Sequence, residues 1–88
     1  MAISALQAAR KICELSKWTV TNLKLQKILY IAHMVYMGRN KKPLIFEQFE
    51  AWDYGPVVNS LYHYVKIFGD QPIKKSIFYD VEDVSNEE

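Results

Sequence analysis

The stretch TNLKLQKILYIAHMVYM, Thr21 to Met37, decides the fold of this chain. Leu25, Ile28, Leu29, Ala32, Val35 and Tyr36 recur at helical spacing and make one apolar stripe. Leu23, Tyr30, Ile31, Met34 and Met37 make a second. A helix that is apolar on most sides is ordinarily buried centrally. The helix from Asn22 to Met37 is therefore expected to be the core of the fold. Thr21 or Thr19 is its expected N-cap, and Gly38 the residue that closes it with positive φ.

Upstream, Ile3 to Ser16 reads as a helix, with Leu6, Ala9, Ile12, Cys13 and Ser16 on one face and Ser4 as an alternative N-cap. Lys17 to Val20 reads as a connector. Downstream, Arg39 to Pro43 is a basic loop, and Leu44 to Asp53 fits neither the helical nor the strand period. Gly55-Pro56 is expected to open a third helix, with Pro56 at the first helical position. Its apolar face is Val58, Leu61, Tyr62, Val65 and Phe68, and Gly69 ends it. Ser76 to Val81 is β-like and either pairs with the Leu44–Trp52 region or docks as a loop. The expected class is mainly α: a small helical domain with a central buried helix and room for a short β-hairpin or extended segments. Leu25, Ile28, Leu29, Ala32, Leu61 and Val65 are its expected core.

The 88 residues are enough for one domain. A composition of 50% hydrophobic and 24% charged residues is that of a soluble globular chain, not a disordered one. Cys13 is the one cysteine and has no internal disulfide partner, which fits a reducing compartment. The start lacks a secretory pattern, and the stretch Ile28 to Met37 is too short to span a bilayer. The expected location is the cytoplasm, with no membrane contact. Residues 1–79 carry 11 basic against 5 acidic residues, while Asp80, Glu82, Asp83, Glu87 and Glu88 hold the other acids.

Catalytic and metal patterns are missing. His33, His63 and Cys13 are scattered, Ser60 and His63 have no orienting acid, and the three glycines stand singly. No cofactor is expected and an enzyme is disfavoured. Binding is the better reading. Trp52, Tyr54 and Tyr62 are amphipathic aromatics of the kind enriched at binding hot spots, and Gly55-Pro56 stiffens the backbone beside them. Lys24 and Lys27 share one side of the core helix. The blander alternative makes these aromatics core and staple residues and the lysines a solvent stripe.

Two segments, Thr21 to His33 and Phe49 to Gly69, together resemble the Panacea antitoxin domain family of SocA-like, phage-associated proteins. The matching residues are Lys24, Leu25, Gln26, Lys27, Ile28, Leu29 and Tyr30, then Ala51, Trp52, Tyr54, Gly55, Pro56 and Val57. The resemblance covers roughly Ile3 to Ile73. It implies a mainly helical fold and an antitoxin that neutralises a toxin by direct protein contact, the partner being a cognate toxin or a host protein. Lys24, Lys27, Trp52, Tyr54, Gly55, Pro56 and Tyr62 are its candidate partner-binding residues. The resemblance further implies a longer domain, since family members usually continue for several more helices past the position of Glu88. Ser85-Asn86-Glu87-Glu88 has the form of a capping box. Residues 1–84 are accordingly expected to be the N-terminal part of such a domain, and 85–88 the truncated start of a further helix. Self-association is a further expectation. The competing function is a small basic nucleic-acid binder or mobile-element accessory protein using Arg39, Lys41, Lys42, Lys74 and Lys75. No recognition helix rich in Arg, Asn or Gln supports it.

Overall fold

A computed structural model describes residues 2–82. The Ser85–Glu88 capping box lies outside these residues. The described chain is mainly α, with three helices and a short hairpin.

Helix α1 spans Ala5–Leu15. Ser4 caps it: its hydroxyl accepts from the Gln7 N–H at 3.1 Å, and Gln7 Oε1 accepts from the Ser4 N–H at 3.1 Å. This reciprocal pair satisfies donors that a helix start otherwise leaves free. The Glu47 carboxylate takes the Ala5 N–H at 2.8 Å, placing an anion at the positive helix end. The buried face is Ala5, Ala8, Ala9 and Cys13: Ala9 and Cys13 of the expected stripe are buried, while Leu6, Ile12 and Ser16 are only partly so. After α1 the chain turns sharply through Lys17 and Trp18, both with φ near 60°. Left-handed backbone is costly for side-chain-bearing residues. It is held here by the Trp18 N–H bond to the Cys13 carbonyl and by the Trp18 ring against Phe78.

Helix α2 spans Asn22–Asn40, capped by the Thr21 hydroxyl. Two expectations are corrected. The helix runs through Gly38, and the left-handed C-cap is Lys41 (φ 59°), whose N–H reaches the Met37 carbonyl. The inward face is also more polar than expected: Leu25 and Leu29 share it with Asn22, Gln26 and His33. The second apolar stripe remains largely on the outside.

The extended segment after α2 makes a parallel bridge between Ile3 and Ile45. Strands β1 (Glu50–Trp52) and β2 (Gly55–Val57) then form an antiparallel hairpin, with Trp52 opposite Gly55 and Ala51 opposite Pro56. Gly55-Pro56 therefore does not open a helix. The two-residue turn Asp53-Tyr54 passes into Gly55 at φ 117°, a conformation that side-chain-bearing residues rarely adopt. Pro56 is tolerated because both strands of a two-stranded ribbon are edges. Helix α3 begins later and spans Asn59–Val65, followed by a 3-10 turn at Lys66–Phe68 that Gly69 closes.

Ser76 to Val81 is not a strand. Lys75–Phe78 forms a 3-10 turn that drives Phe78 into the core beside Trp18 and Tyr64. Phe78 is 2% exposed there, so burial of its ring goes with the turn. Of the expected core, Leu25, Leu29, Leu61 and Val65 are buried, while Ile28 and Ala32 are only partly so. The core also takes in Ala5, Ala8, Ala9 and Cys13 of α1, with Val20, Ile45, Val58, Ile73 and Phe78.

Candidate functional site

The hairpin and α3 bring three of the expected aromatics together. The Trp52 ring lies 4.9 Å from Tyr62 and 6.5 Å from Tyr54, centroid to centroid. Such tilted contacts suit the ring quadrupoles. Trp52 Nε1 donates to Glu50 Oε1 at 2.9 Å, which fixes the indole along β1. Trp52 and Tyr62 are half-buried, whereas Tyr54 at the turn is 56% exposed. Gly55 and Pro56 act through the backbone. A Cβ on Gly55 would meet nothing within 4 Å, so the positive φ, not space, calls for glycine there.

What anchors this cluster to α2 is a buried amide relay. Gln26 Oε1 accepts from the Val58 N–H at 3.0 Å, and Gln26 Nε2 donates to Asn22 Oδ1 at 3.2 Å. Asn22 Nδ2 reaches the Tyr62 carbonyl at 3.4 Å. Neither amide figured among the candidate residues. Their signal is legible: two carboxamides four apart in a helix that is otherwise rich in apolar residues.

Lys24 and Lys27 are exposed on the outer side of α2. Among the described residues, no ion pair or hydrogen bond joins either side chain to the aromatic cluster or to any carboxylate. The link between the two regions runs through Leu23, which lines a shallow cleft of about 240 Å³ with Tyr62, Asn22 and Lys66. The lysines and aromatics thus occupy adjoining surfaces, not one pocket.

His33 packs beside the segment that leads into β1. It is buried, 5.3 Å from the Phe49 ring, and its Nδ1 accepts from the Ile45 N–H at 3.4 Å. Burial lowers its pKa below the ordinary 6.5. Burial, with Glu14 second, pushes the Cys13 thiol up to about 12. Among the described residues, no three His, Cys, Asp or Glu groups gather where a metal could bind. No described helix is long and apolar enough to cross a membrane.

The basic residues are divided. The Ile73 N–H binds the Val20 carbonyl at 2.9 Å, which places Lys74 and Lys75 toward the start of α2. Arg39, Lys41 and Lys42 lie at the far end of this helix, which is about 28 Å long for 19 residues at the helical rise.

The family described as "Antitoxin SocA-like, Panacea domain" matches residues 25–88. The chain is also similar to "Antitoxin SocA" of Caulobacter vibrioides, with 38% identity over 63 residues. That alignment covers 66% of this chain and 34% of the relative, so the chain corresponds to about a third of that protein's length. No solved structure matches the chain.

Proposed function

The chain belongs to the SocA-like Panacea antitoxin domain family, and from that premise we propose that it is a protein-binding module that neutralises a toxin by direct contact in the cytoplasm. The observation that carries the contact surface is the Trp52–Tyr62 pair with Tyr54 exposed beside it. Large aromatics held rigidly lose little entropy on binding, which is why they dominate hot spots. The Gln26–Val58 bond supplies that rigidity. Gly55 and Pro56 set the turn, and Lys24 and Lys27 add charge at the margin. Neutralisation by occupancy needs no catalytic group and no cofactor.

Co-expression with the product of the neighbouring gene, scored for toxicity alone and for rescue by this chain, tests this reading. Tyr54→Ala and Trp52→Ala are expected to abolish rescue while circular dichroism stays that of the parent. Rescue by both variants at the parent level, with no complex in sedimentation, rejects the aromatic surface and direct contact together.

A further inference from the structure

Helix α2 carries an apolar face that nothing in the described fold covers. Leu23, Ile31, Met34 and Val35 are 39%, 61%, 47% and 49% exposed. Lys24 and Lys27 stand among them, and from Asn22 to Asn40 the helix has no acidic residue. Among the described residues, the ion pairs are Arg10–Glu14 and Lys11–Glu14, both on α1. The outer face of α2 is thus aliphatic and cationic at once, and no carboxylate among the described residues pairs with its two lysines.

We propose that this face receives an acidic amphipathic helix of the protein partner, laid along α2 with its apolar side on Leu23, Ile31, Met34 and Val35 and its carboxylates toward Lys24 and Lys27. The proposal rests on the protein-contact reading above and names the chemistry of the partner. Aliphatic positions spaced at three, four and eight residues form the ridge that a second helix packs against. Charge complementarity decides the occupant. A second copy of the same face would set lysine against lysine with no carboxylate to offset them. A nucleic acid would leave four aliphatic side chains unmatched against phosphates, which proteins meet mainly with cations and polar donors.

The test uses the 88-residue chain and a synthetic amphipathic helix of about five turns, with a leucine face flanked by glutamates, followed by fluorescence anisotropy. A lysine-flanked peptide of the same apolar face is the control. The acidic peptide is expected to bind. The K24E/K27E double variant should weaken it by about tenfold, since each reversed exposed pair contributes modestly, and should bind the lysine-flanked peptide better than the parent does. I31D should weaken both peptides without changing the circular dichroism spectrum. Equal affinity for the two peptides overturns the proposal. So does a dimer in sedimentation that I31D dissolves, release of the acidic peptide's site by deleting residues 83–88, or tighter binding to anionic phospholipid vesicles than to the peptide. Toxin rescue separates the two readings. If K24E/K27E and I31D rescue fully while Tyr54→Ala does not, the α2 face fails and direct contact stands.

Discussion

Gln26 on α2 accepts the backbone N–H of Val58, the residue before α3, at 3.0 Å in the interior. One side chain therefore joins the central helix to the junction of hairpin and α3, and it does so where water cannot replace it. Gln26→Leu is expected to keep the packing volume but strand the Val58 N–H. An unpaired buried donor costs about 1–3 kcal/mol. A lowered thermal midpoint, accompanied by a shift in Trp52 emission as the hairpin loosens, is the expected result. An unchanged midpoint would count against the relay.

Leu29 is fully buried in the core cluster, which also holds residues of α1 and α3. Leu29→Ala is expected to cost about 2–5 kcal/mol, the lost transfer energy plus the cavity left behind. Urea unfolding measures it, and a change under about 1 kcal/mol would mean the site is not packed as described.

His33 makes stability depend on pH. Its folded pKa lies below the ordinary 6.5, so the unfolded chain takes up a proton that the folded chain refuses. Protonating Nδ1 also removes the acceptor for the Ile45 N–H. The stability is complete above about pH 6.5 and falls as pH drops through and below that value. Melting between about pH 7 and pH 5 is expected to show this slope, and His33→Gln to flatten it. Parallel slopes in the two proteins would exclude His33 as the source.

Cys13 is buried on α1 and its thiol is raised to about 12. The thiolate, not the thiol, is the reactive form. Iodoacetamide at neutral pH is expected to leave the folded chain unmodified and to label it rapidly in denaturant. Fast labelling of the folded protein would show that the α1 face opens.

The local elements with chemical signatures were legible in the chain itself. Ser4 and Thr21 cap helices because a hydroxyl within reach of the free N–H groups works wherever those residues sit. The two family motifs were equally plain, because they are strings of residues. Grouping Trp52, Tyr54 and Tyr62 required only that the turn at Gly55 be tight. The form of that turn was not legible. A glycine-proline step suits a helix start or a hairpin edge, and only the pairing of Glu50–Trp52 with Gly55–Val57 selected the hairpin. Ser76 to Val81 has strand-like residues, but it folds as a 3-10 turn that buries Phe78 in the core. The largest decision left to the tertiary structure was the rotation of α2. Its apolar residues surround most of the helix, so hydrophobicity alone ranks the faces poorly. Gln26 and His33 turn inward because the Val58 and Ile45 N–H groups are buried there and need partners, and Asn22 follows, meeting Gln26 and the part-buried Tyr62 carbonyl. Leu23, Ile31, Met34 and Val35 are turned outward as a consequence.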